Sequence, residues 1–291
     1  MRYRRLRVSA GRRRRARAIV LALLALAGVA FAVSHLRSSS APVVTVDWQT
    51  GDNSAFSNLE CAHPDTQFAV VTEPVRQGRY AARFSETGRD VWTNGTVRCL
   101  DGRYDPIATT GDDYYFGLSV YIPAAGIGDN LIWELHQPRT LYSLPGCGVA
   151  PLAILVHSDG FDLRIAAGDC TVGSGFASTA AIPFPNLKHY PRKRWIDFVL
   201  HVGFEEADTG FVEAWSRTAG TPWSERPQIA RRAIATMPFC STHGVYNVEL
   251  YSEIGLYPGY AGYSGTDTLY ADGYRRGSSF ADVAAPDSPA G

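Results

Sequence analysis

Strict two-residue alternation, recurring in short segments along most of the chain, constrains the fold more than any other feature. In residues 247–257, Val248, Leu250, Ser252, Ile254 and Leu256 fall on one side and Glu249, Tyr251, Glu253, Gly255 and Tyr257 on the other. Side chains of an extended strand project alternately, so this is a strand with one face for a core and one left polar. Residues 114–122 repeat the pattern, with Tyr114, Phe116, Leu118, Val120 and Ile122 inward and Tyr115, Gly117, Ser119 and Tyr121 outward. Residues 131–137 set Ile132, Glu134 and His136 against Leu131, Trp133 and Leu135. Residues 195–204 send Ile196, Phe198, Leu200, Val202 and Phe204 to the core, leave Asp197 and His201 outside, and form a hairpin with 211–215. Shorter strands are read at 67–72, 81–85 and 268–274, and no long helical period occurs. Strands at this spacing, joined by Gly/Pro-rich turns, predict an all-β, two-sheet antiparallel jelly-roll sandwich. The aliphatic faces pack together, and the other face of one sheet forms an open concave groove. Tyr115, Tyr121, Tyr251, Tyr257 and His136 are expected to line it, since rings with hydroxyl tips can stack on sugars and hydrogen-bond them.

Charge is distributed unevenly. The 28 basic and 28 acidic residues cancel, but ten arginines and no acid lie in residues 1–40, so the remainder carries 18 basic against 28 acidic residues. A body with a net charge of about −10 disfavours nucleic acid and heavily sulfated polymers as partners. Nine of these arginines precede the apolar run 18–33, with Ala30-Phe31-Ala32 as a small-x-small cleavage site. Residues 1–33 therefore read as a signal peptide or an N-terminal membrane anchor, and either places the body outside the cytoplasm. Residues 34–45 read as a linker, 46–283 as the folded domain and 284–291 as a frayed tail.

The five cysteines suit that oxidising compartment and lack metal-ligand spacing. Strands at 148–156 and 161–169 flank a four-residue loop, His157 to Gly160. If Val156 faces Phe161, the same register brings Cys147 opposite Cys170, which predicts a disulfide. Cys61–Cys99 is the next pairing, leaving Cys240 unpaired.

Three segments carry a resemblance: WELHQ around His136, SEIGLYPGY around Tyr257, and the strand pair GDDYYFGLSVYIP and WIDFVLHVGFEEADTGFVEAW. With WQTGD, VVTEPVRQGRYAARFSE and TVRC near the start, they resemble the jelly-roll polysaccharide lyases of concanavalin A-like fold. The heparin-lyase-I-like and glucuronan-lyase-like groups are the nearer match, the alginate lyases the more distant. The resemblance implies β-elimination on a uronate-containing polysaccharide, with His136 and Tyr257 as the base and acid. Arg98, with Arg83 second, matches the arginine that holds the substrate carboxylate. Glu134, Gln137 and Glu253 stand at neighbouring motif positions and are expected, with Tyr115, Tyr121 and Tyr251, to touch substrate. Glu134 replaces a common glutamine, Glu253 a common lysine, Leu100 the glutamate two residues after the arginine, and Pro258-Gly259 the polar residues after the tyrosine. No catalytic cofactor is implied, and Asp272 is read as fixing a turn or a structural calcium ion. The chain is expected to act as a monomer, touching a membrane only through an uncleaved N-terminal segment.

Two other functions suit a β-sandwich of this kind. A retaining β-glucanase on this fold needs paired carboxylates in a Glu-x-Asp-x-x-Glu strand, which the sequence lacks. A non-catalytic, lectin-like module would keep the aromatic groove without needing His136 and Tyr257 to act together. Trp92, Trp215 and Trp223 are read as packing residues rather than sugar platforms.

Overall fold

The computed structural model describes residues 43–258 and 265–287, with the side chains of Ala177 and Ser178 left aside. The N-terminal leader, most of the expected linker, Gly259 and residues 288–291 lie outside the described residues. No helix among the described residues is long and apolar enough to cross a membrane.

The strands build two eight-stranded sheets. The first runs β13 (Ile229–Ile234), β12 (Gly210–Thr218), β11 (Trp195–Gly203), β6 (Asp113–Tyr121), β16 (Thr266–Gly277), β4 (Ala81–Thr87) and β3 (Phe68–Val71), with β1 (Val44–Val46) also on β16. The second runs β10 (Gly175–Pro183), β9 (Phe161–Thr171), β8 (Leu152–Val156), β7 (Asn130–His136), β15 (Leu250–Tyr257), β5 (Cys99–Ala108) and β2 (Asn58–Cys61). β14 (Pro238–Phe239) adds to β9 in parallel, and all other pairings are antiparallel. We refer to these as the outer and the cleft sheet. Val44 and Thr45, expected in a linker, are already laddered to Arg276 and Arg275.

The core lies between the sheets. Phe116, Val120, Ile196 and Leu200 of the outer sheet and Leu250, Ile254 and Leu256 of the cleft sheet are all buried there. Each such side chain contributes about 1.5–3 kcal/mol of burial free energy. Alternation therefore sends the non-core residues of the two sheets in opposite directions, which decides what can share a site.

Alternation breaks at two bulges where it matters. A bulge between Leu131 and Trp133 on β7, and another between Ile254 and Tyr257 on β15, shift the register. As a result Ile132 joins Trp133 and Leu135 in the core, while Leu131 turns to the cleft with Glu134 and His136. The expected faces of Leu131 and Ile132 are thus exchanged, because a bulge inserts one residue and flips what precedes it.

Both disulfides form. Cys147–Cys170 closes beyond the β8–β9 ladder, in which Val156 faces Phe161. Cys61 and Cys99 bond as directly opposed residues of β2 and β5. Cys240 is free and buried.

On the far side of the outer sheet, Asp197 is fully buried rather than exposed. Its carboxylate takes two bonds from Arg76 and one each from Arg217 and Ser119. The same guanidiniums donate to the carbonyls of Ala285 and Pro286. Residues 284–287, read from sequence as frayed, are held there because those carbonyls complete the arginines' hydrogen bonding.

Candidate active site

A cleft of about 1170 Å³ opens on the face of the cleft sheet turned away from the core. His136 at the end of β7 stands directly across from Tyr251 of β15, with ring centroids 5.1 Å apart. Its Nδ1 lies 2.7 Å from the carbonyl oxygen of Gln137. A carbonyl only accepts, so Nδ1 carries the proton and, in the neutral ring, Nε2 keeps its lone pair. Burial, above all, holds the His136 pKa below its ordinary value, against the opposing pull of Glu253.

Two residues along, Glu134 and Glu253 face each other across the same ladder. Both are buried, and burial pushes both carboxyls above the usual range, Glu253 further because Glu134 confronts it. Two carboxylates so placed cannot both ionise cheaply, so the pair favours sharing a proton. With His136 they offer three ligand atoms within 4.8 Å of one another, a spacing that could also hold a cation.

Arg98 precedes β5 and ion-pairs with Glu60 at 2.7 Å while stacking over the Tyr257 ring at 4.5 Å. Burial works against its charge, but Tyr257, Glu60, Glu253 and Glu134 outweigh it, and the pKa rises. The Cys61–Cys99 bridge joins the residues next to Glu60 and Arg98, so it braces this corner. Tyr257 stands opposite Leu131, five positions along β7 from His136. At ~3.3 Å per residue their backbones are roughly 16 Å apart, with both side chains lining one cleft.

Several residues read from sequence as substrate contacts lie elsewhere. Tyr115 and Tyr121 sit on β6 of the outer sheet, facing away from the core and hence from the cleft. Tyr115 stacks on His201 at 3.8 Å, and Tyr121 packs on Trp195 and Tyr270. Arg83, on β4 of the same sheet, donates to the carbonyl of Thr66. Gln137 is fully buried and donates to the carbonyls of Cys147 and Val149, pinning the end of β7 to the disulfide loop. Period two tells core from non-core but not which sheet a strand joins, and Gln137 follows the last residue of its strand. Asp272 accepts from the backbone N–H groups of Arg76 and Gln77 with one oxygen, so it does fix a turn. Of the tryptophans, Trp92 lines the cleft, whereas Trp215 and Trp223 both pack on Phe280.

Three cleft residues escaped the sequence reading. Tyr104 of β5 donates to Glu60 at 2.6 Å and packs edge-on against Tyr251. Asp101-Gly102 and Asp105-Pro106 have turn-like composition, which hides this strand in the sequence. Tyr142, in a one-turn helix after β7, packs edge-on to His136. Arg164 lies on β9, across the strand from the core residues Leu163 and Ile165, and lines the cleft. That alternation was legible in 161–169.

A sequence model of a family described as polysaccharide lyase matches residues 48–275. No curated protein matches the sequence. Among solved structures, an endo-β-1,4-glucuronan lyase from the fungus Trichoderma reesei superposes with a TM-score of 0.65 at 16% identity, covering 84% of this chain and 99% of its own. A marine alginate lyase from Aplysia kurodai gives a TM-score of 0.54 at 12% identity, with 82% and 99% covered. At such identities these likenesses show the shared jelly-roll fold.

Proposed function

The chain belongs to the polysaccharide lyase family, and from that premise we propose that it cleaves a uronate-containing glycan outside the cytoplasm by β-elimination. The observation that carries this reading is the cleft itself, whose lining brings His136, Tyr251, Tyr257 and Arg98 to one face of one sheet. Neutral His136 takes the proton from carbon 5 of the uronate through Nε2. The electron pair left on carbon 5 forms the double bond to carbon 4, the carbon 4–oxygen bond breaks, and a tyrosine hydroxyl protonates the departing oxygen. Arg98 offsets the charge that develops on the substrate carboxylate. The named substrates of the solved relatives, glucuronan and alginate, are both of this class. The two disulfides suit an oxidising compartment, whether the protein is released or tethered by its N-terminal segment.

Tyr257, stacked on Arg98, is the proposed acid. Tyr251 is the second candidate because the ladder sets it face to face with His136. Tyr257→Phe should lower kcat at least ~100-fold while leaving glycan binding intact, and Tyr251→Phe should lower it less. Absorbance of the unsaturated product from a panel of uronate polymers reads both. Full activity in Tyr257→Phe with loss in Tyr251→Phe moves the acid to Tyr251. Glycan binding without cleavage of any polymer supports the lectin-like module instead.

A further inference from the structure

We propose that Arg164 is the docking residue for the substrate carboxylate, so that it, rather than Arg98 alone, selects an acidic sugar. This rests on the lyase reading and deepens it. The cleft holds two kinds of guanidinium. Arg98 already has a carboxylate counter-ion in Glu60 and an aromatic face in Tyr257. The Arg164 side chain makes no hydrogen bond and no ion pair with any described residue, and its Nε is sealed from solvent without a partner.

The other half-buried arginines without a counter-ion, Arg83, Arg275 and Arg276, each donate to a carbonyl or amide oxygen, whereas the Arg164 side chain has no acceptor among the described residues. Arg76 and Arg217 on the outer sheet share Asp197 and fill their remaining donors with backbone carbonyls. Leaving a guanidinium desolvated and unpaired costs free energy that an incoming anion recovers. Burial lowers the Arg164 pKa, while Glu134 and Tyr257 are near enough to oppose that fall. Arg164 therefore sits within electrostatic reach of both Glu134 and Tyr257.

The geometry also suits the ligand. A planar guanidinium presents parallel N–H groups that match a carboxylate in a two-bond fork. The hairpin bearing Arg164 is closed by Cys147–Cys170, and Gln137 ties that disulfide loop to the end of the His136 strand. The distance from docking residue to proposed base is thereby fixed by covalent and buried hydrogen bonds.

The test compares wild type with Arg164→Gln and Arg164→Lys, using a uronate polymer and the same polymer with its carboxyls reduced to alcohols. Arg164→Gln should raise KM for the uronate polymer about tenfold or more with a smaller change in kcat. Arg164→Lys, which keeps the charge but loses the fork, should recover part of that loss. Binding of the reduced polymer, measured by titration calorimetry, should be the same in all three. Unchanged KM in Arg164→Gln, or equal weakening for both polymers, overturns the inference while leaving the lyase reading standing. Should the wild type cut no uronate polymer, the lyase reading falls, and direct titration of uncut polymer applies the same tenfold criterion to Arg164.

Discussion

For His136, one hydrogen bond and one environment suit the ring to the proposed role of base. The Gln137 carbonyl fixes the proton on Nδ1, and burial keeps the ring neutral at a pH where a free imidazole would already be part-charged. A general base must be unprotonated, so activity should fall only as pH drops through the depressed His136 pKa. The acid limb of the kcat/KM profile should therefore lie below 6.5, the ordinary value. An acid limb above 6.5 would show that Glu253 dominates burial. His136→Ala should cost ~10²–10⁴ in kcat at neutral pH. His136, Tyr251, Tyr257, Arg98, Glu134 and Glu253 were legible as cleft residues because polar residues recurred at two-residue spacing or stood in recognisable motifs. Arg83, Tyr115 and Tyr121 obeyed the same spacing and went to the other sheet.

Among the elements, β15 carries most of the site, and its bulge depends on Gly255. This glycine has φ of +150°, and a Cβ there would stand 2.2 Å from the Cys99 carbonyl oxygen and 3.0 Å from both Leu100 Cα and the Phe84 ring. Backbone on one side and a buried ring on the other leave little room to yield. Gly255→Ala should lower stability by about 1–3 kcal/mol, read as a fall in thermal midpoint. It should also push β15 from β5 and weaken activity beyond the stability loss, because Tyr257 lies two residues on. An alanine variant with wild-type midpoint and activity would show that the ladder has slack at this point. From sequence, Gly255 was one more residue on a polar face; its necessity is visible only once β5 is known to lie alongside.

At the scale of the whole molecule, the outer sheet's far face is organised around one buried charge cluster. Asp197 neutralises Arg76 and Arg217, and these hold the chain's last described residues. Asp197→Ala would leave two buried guanidiniums without their carboxylate. The expected cost is about 3–5 kcal/mol, measured by denaturant unfolding, together with release of residues 284–287 to proteolysis. Unchanged stability would mean that the backbone carbonyls and Asp287 suffice as counter-groups. Because the cluster is on the opposite face from the cleft, any activity left per folded molecule should match wild type.

What the sequence determined by itself was the architecture and the chemistry at hand. Period-two alternation in 114–122, 195–204 and 247–257 requires strands with one buried face, and burying those faces requires a sandwich. The hairpin register sufficed for Cys147–Cys170, because a four-residue loop sets every opposed pair beyond it. Only the tertiary structure decided which polar faces meet. β6 lies between β11 and β16 in one sheet, while β7 lies between β8 and β15 in the other, and no local pattern encodes that choice. Strand order arises from pairings between segments far apart in the chain, so Tyr121 and Tyr257, alike in sequence context, end on opposite sides of the core. The bulges were hidden for a related reason: an inserted residue is stabilised by what the neighbouring strands present, and Leu131 and Ile132 are both aliphatic enough to sit on either face.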